Sequence, residues 1–187
     1  MSKLNKPRMT QIFEYLRKGK FISDNTNEDE VLQLFDYLND SDNFEAAKIH
    51  FDLLGITLED GEGYFYFSRP NQPTASLENK IKTAHAWIDI LDFFKTYDND
   101  FGVGTIFEPA DIKTEHKQSM LLREKLNRIG ESGKSPIEQI KILADKLVSD
   151  DFAIVDKTKD EYKVLSAFRY LERLVNQIHI PEDETAE

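Results

Sequence analysis

Ile56-Thr-Leu-Glu-Asp-Gly-Glu-Gly-Tyr-Phe-Tyr-Phe-Ser-Arg69 is the stretch on which the fold turns. Asp60-Gly-Glu-Gly63 is a run of turn formers between two segments of β-forming residues, so the stretch predicts a strand, a tight polar turn and a second strand. Later in the chain Phe152-Ala-Ile-Val-Asp-Lys-Thr-Lys-Asp-Glu-Tyr-Lys-Val-Leu165 repeats the arrangement. Helical apolar spacing leads into each hairpin. Before the first, Ile12, Phe13 and Leu16 share one face of a helix over Met9–Lys18, and Phe21–Ser23 is a short strand. Asn27, followed by Glu28, Asp29 and Glu30, starts a helix with its acids in the first turn, where they suit the dipole. Val31, Leu34, Phe35 and Leu38 then step by threes and fours. Asp42 or Asn43 caps a further helix whose stripe is Phe44, Ala47, Phe51 and Leu54, and Gly55 stops it.

The second half repeats that layout without evident residue identity. Pro70 and Pro73 mark a linker over residues 70–75. Leu77, Ile81, Ala84, Ile88, Leu91 and Phe94, with Trp87 alongside, form the seam of one long helix. Val103–Phe107 is a candidate strand. Pro109 and Asp111 open a single helix running through Met120, Leu121, Leu122 and Leu126 to Gly130. Ser135-Pro136 opens another, with proline at the first helical position, where its missing N–H costs nothing. Its stripe is Ile137, Ile140, Ala144 and Leu147; Phe168, Leu171, Val175 and Ile178 make a closing helix. Two helices followed by a hairpin is the order of a winged helix-turn-helix. The expected fold is mainly α with small β-hairpins, an α+β pair of tandem winged helices. One unit spans residues 1–69 and the other 76–180, followed by a disordered acidic tail at 181–187.

With 187 residues, 40% of them hydrophobic, and thirteen Phe and seven Tyr, the chain has enough apolar bulk for real cores. No apolar run approaches the ~20 residues needed to span a bilayer. The amino terminus lacks the apolar core of a signal peptide, and without Cys there is no disulfide or thiolate metal site. The chain reads as soluble and cytoplasmic. Its net charge of −11 is unevenly spread. From Asp24 to Glu62 twelve acids face one base, Lys48; residues 1–20 carry six bases and one acid; Lys113–Lys146 holds eight bases and five acids. Any contact with nucleic acid must therefore be local to the basic patches, because acidic surface repels phosphate over about a Debye length, ~8 Å at physiological salt.

Nothing in the motifs argues for an enzyme. Gly133-Lys-Ser135 looks like the end of a phosphate-cradling loop, but Arg128 stands where such a loop needs its first Gly, and the segment follows a helix rather than a strand. An interhelical turn with a Ser cap is the better reading. Gly61 and Gly63 lead into a strand, not a nucleotide-binding helix. The four His, at 50, 85, 116 and 179, lack metal-ligand spacing, and no Ser sits in a nucleophile elbow. No cofactor is implied.

Surface recognition remains. In the first half the helix that would enter a DNA groove carries Asp42, Glu45 and Asp52 against Lys48, and its wing carries Glu59, Asp60 and Glu62. A carboxylate ~4 Å from a phosphate is repelled by about 1 kcal/mol in water and by more in a drier interface, so this unit suits a protein partner. The second half interleaves Lys134, Lys141, Lys146, Lys157, Lys159 and Lys163 with acids, and its neighbouring helix adds Lys113, Lys117, Arg123, Lys125 and Arg128. It reads either as a mixed solvated surface or as a weak, sequence-independent phosphate contact through Lys117, Arg123, Lys125, Arg128 and Lys134. In Tyr64-Phe-Tyr-Phe67, Phe65 and Phe67 share one face and Tyr64 and Tyr66 the other, which suggests that both are covered. The cover is either the long helix around Trp87 or a second chain. The candidate protein interface is therefore Tyr64, Tyr66, Trp87, Leu91 and Phe94.

This layout over Met9–Ile178 resembles the MukE/MksE family, the kleisin-interacting winged-helix subunits of bacterial SMC complexes that include the MukBEF, MksBEF and Wadjet-type systems. The likeness is carried most by Phe44–Leu54 running into Gly63–Arg69, and by Leu121-Leu-Arg-Glu-Lys125 leading to Ser135–Val148, Phe152–Val155 and Tyr162–Leu174. It implies a homodimer, a kleisin partner, an SMC ATPase, some contact with duplex DNA and no catalysis. A nucleoid-associated, kleisin-binding adaptor in chromosome organisation or plasmid restriction is the expected function. The alternative is a freestanding winged-helix DNA-binding transcriptional regulator.

Overall fold

A computed structural model describes residues 5–68, 74–131 and 133–178, with the side chains of 74–84, 177 and 178 outside that description. The expected linker at 70–75 falls partly outside it, its last two residues opening a helix; the acidic tail lies wholly outside. The fold is mainly helical with small antiparallel sheets. In chain order it runs α1 (Lys6–Leu16), β1 (Ile22–Ser23), α2 (Asp29–Asn39), α3 (Ser41–Asp52), β2 (Thr57–Asp60) and β3 (Tyr64–Ser68). It continues through α4 (Thr74–Tyr97), β4 (Ile106–Phe107), α5 (Pro109–Gln118), α6 (Met120–Ile129), α7 (Pro136–Ser149), β5 (Ala153–Asp156), β6 (Glu161–Val164) and α8 (Phe168–Ile178). Each half makes a three-stranded sheet with its last strand in the middle, β1-β3-β2 and β4-β6-β5. Glu59 pairs with Tyr66 in the first hairpin and Ile154 with Lys163 in the second.

The local chemistry explains most boundaries. Asp40, not Asp42 or Asn43, caps α3: its carboxylate accepts the Asn43 N–H at 3.0 Å. Before α2 the Thr26 hydroxyl accepts from Glu28 N, so Asn27 does not act as the cap. Gly55, at φ +70°, takes the left-handed conformation that ends the α3 segment. At α7, Glu138 accepts from both the backbone N–H and the hydroxyl of Ser135, at 2.8 and 2.5 Å. That bonding, with the Ser135 side chain first, holds the Glu138 carboxyl below its ordinary range. Gln139 ties the preceding turn by donating to the carbonyls of Glu131 and Lys134. The Gly133-Lys-Ser135 segment is a helix entry.

One expected helix is two. The run from Pro109 to Gly130 breaks at Ser119, which is extended at φ −92°, ψ 116° and whose hydroxyl accepts from Leu122 N at 3.2 Å. The buried positions carry the reason. Ile112 and His116 share the core face of α5, but the next buried residues are Leu122 and Leu126. A step of six from His116 cannot stay on one helical face. His116 is nearly enclosed at this corner; burial, and then the Arg123 charge, lower its pKa.

Two hydrophobic clusters fill the molecule. Met9, Ile12, Leu16, Leu38, Phe51 and Leu58 represent the first. The larger joins α4 to the second half through Trp87, Phe94, Phe101, Leu126, Leu147 and Phe168. Tyr64 belongs to the larger cluster although its strand neighbour Phe65 belongs to the smaller, so β3 is packed on both faces. On the second face lie Phe21 and α8, in the same cluster as Trp87. Phe21 lies 5.8 Å from Tyr64, and Tyr66 lies 5.1 Å from Tyr170.

Polar bonds line the same seam. Asn25 donates to the Val164 carbonyl at 3.1 Å and accepts from Ser166 N at 2.8 Å, while Lys163 donates to the Asn25 carbonyl at 2.8 Å. Asp24 accepts from the Ser166 hydroxyl and Asp151 from Phe21 N. Arg169 and Arg173 of α8 donate to the carbonyls of Glu62 and Gly61 in the β2–β3 turn. Gly61 is required there, since a Cβ would meet the Tyr64 ring at 2.1 Å.

Two stability outcomes follow from these contacts. Asn25→Ala removes both side-chain bonds across the seam and is expected to cost about 1–3 kcal/mol, read as a lower urea midpoint; an unchanged midpoint would show that the halves hold without this bridge. The depressed pKa of His116 means that the unfolded chain binds its proton more readily than the folded one. Its contribution is intact above the unfolded value near 6.5 and is lost as pH falls below it. Stability should therefore drop between pH 7.5 and pH 5.5 by more in the parent chain than in His116→Gln, measured by urea titration at both pH values.

Candidate functional site

The expected interface residues are used inside the chain. Tyr64 and Phe94 are fully enclosed, Trp87 is 2% exposed and Leu91 7%. Trp87 packs edge-on to Phe152 at 5.4 Å with Lys146 over its ring, and Phe94 stacks on Phe101 at 4.6 Å. Burial pushes the Tyr64 hydroxyl up to about 12, and that oxygen has no hydrogen-bond partner among the described residues. Tyr66 is half-buried against Phe21 and Tyr170. Four of these five residues are thus enclosed by the chain's own core.

The expected phosphate contacts divide. Lys125 and Arg128 project from α6 toward α4, where Lys125 meets Asp92 at 2.6 Å and Arg128 meets Asp89 at 2.7 Å. Lys134 pairs with Glu131 at 2.6 Å. For these three a phosphate would have to compete with a carboxylate already in place. Lys117, at the end of α5, and Arg123, on α6, are exposed and make no ion pair among the described residues. They flank Met120 and Leu121, 77% and 53% exposed. The sequence alone did not separate the two sets; the signal was Asp89 and Asp92 on α4, whose relation to α6 is tertiary.

A second surface was not singled out as apolar. Leu54, expected in the core stripe of α3, is 59% exposed, because the helix ends at Asp52 and the chain turns away. Ile49 and Leu53 are exposed beside it, 63% and 82%. Spacing hinted at this: Ile49 and Leu53 are four apart and lie off the Ala47–Phe51 row.

A groove of about 980 Å³ runs between α4 and α8, floored by Ile88, Leu91 and Val175 and closed by Glu62. Its charges are internally matched, as with Lys95–Glu172 at 3.0 Å and Arg173–Glu62 at 3.4 Å. Among the described residues no group of His, Asp and Glu has the geometry to hold a metal ion, and no helix is long and apolar enough to cross a membrane.

The family described as condensin complex protein MksE matches residues 7–175. No curated protein matches the chain by sequence. The match runs through both sheets and nearly all of α8, and on it the chain belongs to the MksE family of condensin complex proteins.

Proposed function

We propose that this chain is a non-catalytic adaptor that binds a kleisin and lies close to DNA in a bacterial condensin-like SMC complex, with residues 1–69 and 76–180 as its two winged-helix units. The family match over residues 7–175 carries the reading. ATP hydrolysis belongs to the SMC partner, and the adaptor serves chromosome organisation or plasmid restriction. It works as a homodimer associated with the nucleoid in the cytoplasm.

The distribution of free charge supports the assignment of roles. In the first unit α3 presents Asp42, Glu45 and Asp52, all exposed and none in an ion pair among the described residues. Such a helix disfavours a polyanion and accepts protein. Of the five expected phosphate contacts in the second unit, Lys117 and Arg123 are the two without an ion pair among the described residues. A few such cations give weak contact that reads no sequence, the kind suited to a subunit held on DNA by its complex.

Co-expression with the kleisin and SMC subunits of a condensin-like complex from the same source should yield a co-purifying complex, whereas a freestanding regulator would purify alone and select an operator at physiological salt. In the assembled complex, Lys117→Glu with Arg123→Glu should weaken duplex DNA binding about tenfold or more and flatten its salt dependence. Reversal of Lys125 and Arg128 should act mainly on stability. Equal affinity of the double variant across a salt titration would reject the phosphate assignment.

A further inference from the structure

The exposed end of α3 is an apolar face with a one-sided electrostatic frame. Ile49, Leu53 and Leu54 are three aliphatic side chains close together in sequence, each more than half exposed. Asp42, Glu45, Ile49 and Asp52 step by threes and fours, and Leu53 follows Ile49 by four, so the carboxylates lie along the same side of the helix as Ile49 and Leu53. These three acids are exposed and unpaired among the described residues. The aliphatic end of the patch sits at the carboxyl end of the helix, the negative end of its dipole. Lys48 and His50, both half-buried, are the basic side chains of the helix.

A surface of this kind selects its occupant by chemistry. Burial of three aliphatic side chains favours an apolar strip on the partner, while desolvated carboxylates require cations around that strip. A second copy docking the same face would set Asp42, Glu45 and Asp52 against their own equivalents, which like-charge repulsion opposes. Nucleic acid is repelled. We infer that the Ile49–Leu53–Leu54 face of α3 is a docking site for a basic amphipathic segment of a partner protein, with aliphatic side chains along one side and lysine or arginine flanking them. The inference deepens the adaptor reading and rests on it only for the identity of the donor, the kleisin.

The test uses the full chain, isotope-labelled, and designed peptides of ~18 residues, about five helical turns. One carries leucines on one face and lysines elsewhere; a second keeps the lysines and replaces the leucines with serine; a third keeps the leucines and replaces the lysines with glutamate. The expected result is amide shift changes centred on residues 45–55 with the leucine–lysine peptide, and about tenfold weaker or no binding by the other two. Leu53→Ser should weaken binding about tenfold, the scale of one lost leucine contact. Asp42→Asn with Glu45→Gln and Asp52→Asn should weaken it comparably and more at low salt than at high. Because these side chains are exposed, the variants should keep the parent spectrum elsewhere. Equal binding of the serine peptide or of the glutamate peptide would overturn the inference, as would shift changes centred on another surface. Self-association of the chain that Leu53→Ser disperses would assign the face to a second copy and overturn it as well. No kleisin enters the titration, so failure here beside an intact co-purified complex sinks this site alone. A positive titration beside a failed co-purification removes only the donor's identity.

Discussion

Phe21 sits where both halves of the molecule meet, and four aromatic rings surround it: Tyr64 at 5.8 Å, Tyr66 at 5.9 Å, Phe152 at 5.5 Å and Tyr170 at 5.2 Å. Two of those rings come from the first sheet, one from the second hairpin and one from α8. Such pairs contribute roughly 0.5–1.5 kcal/mol each beyond the area they bury, and here they act on elements distant in sequence. A unit of about 65 residues buries only about 60% of the surface its unfolded chain exposes and is marginal alone. By lending the Tyr64 face of β3 to the larger core, the first half gains support that its own cluster around Ile12 and Phe51 does not provide.

The polar contacts around Phe21 fix the register of that packing. Asp24, Asn25 and Asp151 each bind backbone or side-chain donors from the opposite half. Aromatic contact is tolerant of sliding, whereas a backbone N–H held by a specific carboxylate or amide is not. Asp24, one of the acids that make the first half electronegative, therefore has structural work at the seam, as does Glu62 against Arg173. The exposed trio on α3 makes no such ion pair among the described residues.

Much of the architecture was legible because it depends on local rules. The two hairpins, the long α4 and the entry to α7 follow from turn residues, helical periodicity and a proline beside a serine. The single helix expected over 109–130 failed on phase: Met120 to Leu122 is a continuous apolar run that hides the six-residue step from His116 to Leu122, and only burial shows which of those leucines faces inward. Leu54 failed for a related reason. Its spacing from Phe51 is helical, but the helix stops before it, so an apparent core position becomes surface. Tyr64, Trp87, Leu91 and Phe94 are buried within the chain itself, and aromatic abundance signals a buried place without telling which chain does the burying.

That ambiguity has a physical resolution. The larger aromatic side chains along the seam and core, Trp87, Tyr64, Phe93, Phe94 and Phe101 among them, are enclosed by the chain itself, and among the described residues every large hydrophobic group left exposed is aliphatic: Ile49, Leu53, Leu54, Ile106, Met120 and Leu121. Aliphatic patches bury less area per residue than aromatic ones and carry no quadrupole to recognise a cation. Specificity at such patches must come from the charges beside them, and those charges differ in sign: carboxylates next to Ile49 and Leu53, a lysine and an arginine flanking Met120 and Leu121. A chain whose bulky groups are consumed in joining its halves is thus left with exposed aliphatic patches told apart by the sign of the charge beside them, acidic on α3 and basic at Lys117 and Arg123.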